Sequence, residues 1–256
     1  AGEVIDPLGG LPHVFARRVR FIDDPDEPKR APAHLPNKPE ARRDLLCRAL
    51  DLSGEQECAL VRCAYDTSDA AFRQVWHQQH HTWSVADRLR VTLQGLGREL
   101  PEECFSDLVR RHESMELEHK PDLVEGVGAA LEALAKDYRL VVISDAIFSP
   151  GWALREILKH YGLLDFFSGF VFSDEAGASK PAPELFHRAA DLAACEVEEL
   201  VHIGDREHND IAGPKAIGAR AILLTAAVDR GSHNTQADAI CRHYDQLPAI
   251  LRGLTA

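Results

Sequence analysis

No run of apolar residues in the 256-residue chain approaches the roughly 18 needed to cross a bilayer, and no signal-peptide pattern is visible. Cysteine is sparse and scattered: Cys47, Cys58, Cys63, Cys104, Cys195 and Cys241 include no C-x-x-C pair. That spacing points away from a zinc site or a disulfide framework and toward a reducing compartment, so a cytoplasmic protein is expected. Positive charge is in deficit, with 29 Lys and Arg against 41 Asp and Glu and a formal net charge of −12. This balance argues against non-specific nucleic-acid binding and against anionic membrane surfaces. A small phosphorylated substrate stays open, because a local cation or metal reverses the field inside a pocket. Internal repeats and low-complexity tracts are also missing. What remains is ordinary globular composition, 45% hydrophobic and 27% charged, on a chain long enough to bury a core. Monomer and homodimer are both open.

Taken in order, Glu3-Val4-Ile5-Asp6 reads as a short strand closing in an acid. The paired glycines of Pro7-Leu8-Gly9-Gly10-Leu11 suit a tight loop. Residues 12–40 carry Pro25, Pro28, Pro32, Pro36 and Pro39 and read as an irregular linker without a long helix. From about residue 40 to 119 the pattern is helical throughout, with Leu45, Leu46, Ala49 and Leu50 at helical spacing. Ser53 with Gln56 resembles a capping box, Ser84 with Asp87 opens another helix, and Leu100-Pro101-Glu102-Glu103 opens a fourth. A small antiparallel bundle is expected there.

After Pro121 the pattern changes to apolar strands alternating with helices. Strands are expected at 139–143, 170–172, 200–203 and 220–224. The helices between them carry Leu154, Ile157, Leu158 and Tyr161, stopped at Gly162, and Leu185, Ala189 and Leu192. Fully apolar strands separated by helices imply βαβ units and a parallel sheet covered on both faces. The expected fold class is therefore α/β: a doubly wound parallel sheet with a small all-α helical domain. Residues 1–38 and 120–256 would form the sheet domain and 39–119 the helical one.

The strand ends carry the chemistry. Gly204-Asp205 closes one strand and Asp210 follows five residues on, so two carboxylates stand where an open parallel sheet binds ligands. Such a pair suits a hard divalent cation, and Mg²⁺ is the usual occupant when a phosphate completes its shell. Each residue also has an ordinary reading: Ser144 as a helix N-cap, Lys180 as a solvated surface cation, and the acids as turn residues.

Strand-Ser144, then Lys180-Pro181-x-Pro183, then Gly204-Asp205 with Asp210, in that order and at strand ends, resembles the haloacid dehalogenase superfamily. The match covers about residues 120–227, and the helical insert resembles that family's cap, placed after the first strand. The resemblance implies a Rossmann-like core, Mg²⁺ as cofactor and phosphoryl transfer to an aspartate. It assigns catalysis to Asp6, Ser144, Lys180 and Asp205, substrate binding to Ser144, Asp145 and Lys180, and the metal to Asp6, Asp205 and Asp210. Ser144 would bond a phosphoryl oxygen, and the Lys180 ammonium would neutralise both the nucleophilic carboxylate and the transferring group.

The first motif departs from the family's D-x-D-G-T pattern. In Asp6-Pro7-Leu8-Gly9-Gly10, Leu8 stands where the family has its acid/base and Gly10 where it has threonine. Leucine transfers no proton. Asp24-Pro25-Asp26 restores both carboxylates, but it follows a strand with Arg20 at its centre and precedes Glu27-Pro28, so Asp6 is preferred. The expected function is a Mg²⁺-dependent phosphatase of small phosphate esters. A catalytically degenerate binding module and a haloacid dehalogenase are the alternatives. His77, His80 and His81, with Trp76 and Trp83, are read as helix surface that can line the substrate side of the cap rather than as metal ligands. His202 is read as a core histidine. Arg206, Glu207 and His208 either orient the site or stand exposed.

Overall fold

The computed structural model describes residues 2–5, 15–16 and 38–255. Strands β1 (Gly2–Ile5) and β2 (Phe15–Ala16) precede four helices: α1 (Lys38–Ala49), α2 (Glu55–Gln79), α3 (Val85–Leu96) and α4 (Glu102–Glu118). The helices pack around one apolar cluster that includes Leu46, Val61, Leu89, Leu93, Leu108 and Met115. The length of α2 follows from an unbroken buried stripe, Val61, Tyr65, Ser68, Phe72 and Trp76, at spacings of three and four. No capping box forms at Ser53. Gly54 is the N-cap, its carbonyl accepts the Cys58 N–H at 3.0 Å, and Ser53 stands one residue too early. Ser84 does cap α3, its hydroxyl accepting the Asp87 N–H at 3.1 Å.

The remaining elements are β3 (Asp122–Leu123), α5 (Val127–Leu134), β4 (Arg139–Ser144), α6 (Gly151–His160), β5 (Phe167–Phe172), α7 (Ser173–Ala176), α8 (Pro183–Ala193) and β6 (Val201–Gly204). A π-helical turn at Glu207–Ala212 then runs into α9 (Gly213–Ala216). Strands β7 (Arg220–Leu224) and β8 (Ala239–Cys241) and helix α10 (Leu247–Thr255) complete the chain. Phe15 pairs with Leu123 and Ala16 with Asp122, antiparallel, so a two-residue ladder interrupts the segment read as an irregular linker.

Six strands form one parallel sheet in the order β5-β4-β1-β6-β7-β8. Alternate residues of β4 face opposite ways. Leu140 and Val142 join the cluster built with α5, α6 and α10, while Val141 and Ile143 join the one built with α8. Both faces are covered, and the fold is doubly wound. Leu192, one of the apolar residues read in this helix, is 43% exposed. The buried stripe is Leu185, Phe186, Ala189, Ala190 and Ala193, and Leu192 lies over the bare backbone of Gly169 in β5.

The chain runs outward from β1 through β4 to β5, then crosses to β6 on the other side of β1. Ile5 is in register with Val142 on one side and Ile203 on the other. The carboxyl end of β1 therefore lies between the strands that end in Ser144 and Gly204. That reversal of strand order is where sheets of this kind open a crevice. Among the described residues, no helix is long and apolar enough to cross a membrane.

Candidate active site at the carboxyl edge of the sheet

Four sequence segments deliver polar side chains to this crevice, and the structure buries nearly all of them. Ser144 ends β4 with no exposed surface, and its hydroxyl has no hydrogen-bond partner among the described residues. It caps no helix: Pro150 holds that position for α6. A buried hydroxyl left unpaired costs roughly 1–3 kcal/mol, which a ligand oxygen would recover.

Asp145 accepts the Lys180 N–H at 2.9 Å and the Asn209 side-chain amide at 3.2 Å. Burial pushes its carboxyl up to about 7, against the lowering effect of the Lys180 N–H. Lys180 is 2% exposed and is no solvated surface cation. Its ammonium donates to Asp210 Oδ1 at 2.9 Å. Burial depresses the ammonium's pKa while the Asp210 carboxylate opposes the shift. The Lys180–Pro181 peptide is cis, and Pro183 stands in the first turn of α8.

Asp210 lies fully buried on the π-helical turn. Besides Lys180 it accepts the Arg206 N–H at 2.9 Å and sits 3.5 Å from His202 Nε2. It comes this close to β6 because residue 204 is glycine: any side chain there would collide with the Cβ and carboxyl carbon of Asp210. Asp205, 1% exposed, receives Arg230 Nε at 2.5 Å from the loop after β7.

Ser144, Asp145, Lys180, Asp205 and Asp210 thus share one edge of the sheet. Asp6, the next residue after β1, lies outside the described residues, as do Leu8, Gly10, Asp24 and Asp26. Asn209, which bridges Asp145 to the Lys180 carbonyl at 3.3 Å, was not singled out from sequence, although its place between the two acids was a usable signal. Arg230 had no such signal, being 25 residues beyond Asp205 in a polar loop. Glu207 is a loop anchor, accepting from Thr235 Oγ1 and the Gln236 N–H at 2.7 and 2.8 Å. His208 is exposed.

Asp205 and Asp210 offer only oxygen donors, the kind a hard cation takes. Among the described residues, no group of three or more His, Cys, Asp or Glu side chains converges. Mg²⁺ commonly uses one or two carboxylates and fills the rest of its shell with water and phosphate oxygens. Two buried aspartates beside a buried ammonium fit that requirement.

The end of α2 covers this edge. The His80 carbonyl accepts the Ser179 N–H at 2.7 Å, and Thr82 Oγ1 donates to Ser173 Oγ at 2.9 Å. That same Ser173 oxygen accepts the Ala146 N–H at 2.9 Å. Trp76, His77 and His80 line a narrow crevice with Lys180 and Asn209. Trp76 and His77 also line a cavity of about 720 Å³ between α1, α2, the Ile147-Phe148 loop and Arg206.

Residues 57–224 match the family described as haloacid dehalogenase-like hydrolase. Over 133 residues the chain is 33% identical to a phosphoglycolate phosphatase of Cereibacter sphaeroides, covering 51% of this chain and 58% of that protein. Over 96 residues it is 35% identical to a glyceraldehyde 3-phosphate phosphatase of Methanothermobacter thermautotrophicus, covering 38% of this chain and 41% of that protein. The chain thus spans about half the length of the curated relatives it matches. Among solved structures, a phosphatase from Thermococcus onnurineus superposes with a TM-score of 0.62 at 23% identity over 98% of each chain. A 2-haloacid dehalogenase from Pseudomonas syringae gives 0.51 at 25% identity, over 75% of this chain and 92% of that one. At 23% identity, the first likeness carries the fold alone.

Proposed function

Since the chain belongs to the haloacid dehalogenase-like hydrolase family, we propose that it is a Mg²⁺-dependent phosphatase of small phosphate esters working through an aspartyl-phosphate. The observation that carries this reading is the buried Lys180–Asp210 pair standing beside the unpartnered Ser144 hydroxyl at the switch in strand order. In this reading residues 39–119 are the cap and 1–38 with 120–256 the core. The protein works in the cytoplasm without nucleic acid or membrane.

Asp6 attacks phosphorus, breaking the bond to the leaving oxygen and forming the acyl phosphate, which water then hydrolyses. Ser144 donates to a non-bridging oxygen, and Lys180 balances the charge that builds on the equatorial oxygens. Asp145 holds the Lys180 backbone, and Asn209 ties the two together. Asp205 and Asp210, with Asp6, would hold Mg²⁺, which shields the incoming phosphate from the carboxylates. Leu8 moves no proton, so the leaving group departs with a proton from water or as a stable anion.

The test is hydrolysis of an activated aryl phosphate with Mg²⁺ and with chelator. Turnover should require the metal, fall at least about 100-fold in Asp205→Asn and vanish in Asp6→Asn, while Asp24→Asn stays active. Undiminished turnover in Asp205→Asn would sink the proposal. Leu8 favours a second reading, a degenerate binding module. A silent parent that gains hydrolysis on Leu8→Asp would support it. Halide release without added metal would instead mark a dehalogenase.

A further inference from the structure

The large cavity holds a cation that the proposed chemistry does not use. Arg206 follows Asp205 directly, is half-buried, and lines the cavity under the cap helices, with its charge still felt at Asp145 and Lys180. Its guanidinium forms no ion pair within 4.0 Å and no side-chain hydrogen bond among the described residues, and its Nε is buried without a partner. It lies 5.7 Å from the centre of the Trp76 ring, whose own buried indole N–H is likewise unpartnered.

The other guanidiniums of the cavity are different. Arg43 is held by Asp66 at 2.5 Å and Arg73 by Asp69 at 2.7 Å, while Arg42 stacks on Phe148 at 3.7 Å and faces Glu116 at 3.6 Å. The acids of the wall are therefore already engaged, and Arg206 stands apart. A planar guanidinium partly removed from water, with its donors free, is a receptor for carboxylate or phosphate oxygens. The volume of about 720 Å³ exceeds what a phosphoryl group needs and is large enough for an organic group beside it.

We infer that Arg206, seated against Trp76, reads a second anionic group on the organic part of the substrate, making the substrate class phosphate monoesters that also carry a carboxylate or a second phosphate. This rests on the phosphatase reading above. Arg206 acts here as a specificity-determining residue, not as a catalytic one.

The experiment compares kcat/KM for matched pairs differing in one charge: 2-phosphoglycolate against ethyl phosphate, and 6-phosphogluconate against sorbitol 6-phosphate. At one or both lengths the wild-type protein should favour the carboxylate about tenfold or more. Arg206→Met should erase that ratio, and Arg206→Lys should restore part of it. Equal turnover within both pairs, or an Arg206→Met variant that loses both members of a pair alike, overturns the inference while leaving the phosphatase reading standing. If no ester is turned over, the phosphatase reading has failed, and the inference is decided by ligand-induced shifts of Tm with Mg²⁺ present. A larger shift with the carboxylate member, lost in Arg206→Met, upholds anion recognition at this position; equal shifts refute it.

Discussion

Both halves of the molecule bury polar side chains, and they do so to opposite ends. In the helical half the buried polar groups are dispersed and most settle bonds locally, although His112 Nε2 and the Trp76 indole N–H find no partner among the described residues. Ser68 meets Thr92 at 2.6 Å, and Thr92 donates to the Arg88 carbonyl at 2.9 Å. His112 Nδ1 lies 2.8 Å from the Leu108 carbonyl, and burial drops its pKa to about 4, so the ring is neutral. Arg88 stacks between Phe72 and Phe148, at 4.3 and 3.9 Å, and pairs with Asp69. At the sheet, by contrast, the buried polar groups crowd one edge, and the bonds among them leave Ser144 unpaired. In the helices the buried polar groups stay scattered; at the sheet edge they converge, and the unpaired Ser144 hydroxyl there awaits something from outside.

Substitutions on the two sides should therefore behave differently. Lys180→Met should have the largest effect, taking the ammonium away from the buried Asp210 carboxylate at about 3–5 kcal/mol in urea unfolding and abolishing aryl-phosphate turnover. Intact turnover would show that the edge is architecture. Asp145→Asn should act with pH. The folded-state carboxyl, at about 7, keeps a proton that the unfolded chain gives up near 3.8, so parental stability falls as pH rises across that window. The variant lacks this loss, and its Tm relative to the parent should rise from pH 4 to 7 by the equivalent of a few kcal/mol.

On the helical side, Arg88→Met should cost about 2–3 kcal/mol, since it removes both ring contacts and the bond to the Ile147 carbonyl at 3.2 Å. Turnover at full folding should change far less than it does for Lys180→Met. Gly204→Ala deletes no functional group, yet it forces Asp210 away from its place. Roughly 1–3 kcal/mol of overpacking with a disproportionate loss of turnover is expected. Ser68→Ala should be mildest, about 1 kcal/mol and no change in turnover.

Most of the sheet was legible in the sequence because strands buried on both faces are uniformly apolar. The strand read at 220–224 is observed at Arg220–Leu224, and the one read at 200–203 is Val201–Gly204. β5 begins at Phe167, three residues before the expected 170, because Ser168 and Gly169 dilute its hydrophobic signal. β8 and α10 were not anticipated; three residues in a polar stretch give no periodicity to count. At the site, the strand-end positions of Ser144, Lys180 and Asp205 could be read from order and spacing. The burial of Lys180 could not, because it depends on Asp210 folding back over Gly204. Nor could the pairing of Asp205 with Arg230, a contact that only the closed sheet creates.

The 25 residues of α2 form a rod about 37 Å long, and its final carbonyl side is tied to the Ser179 N–H, one residue from the buried lysine. A rod that pivots at its amino-terminal turn carries the segment tied to its far end along with it. A tilt of about 5° about its amino-terminal turn sweeps the Trp76–His80 end through roughly 3 Å at that length. Repacking far from the chemistry, around Val61 or Leu46, thereby acquires leverage over the roof of the crevice. Sequence drift inside the helical core can retune the opening above Lys180 without altering any residue that lines it.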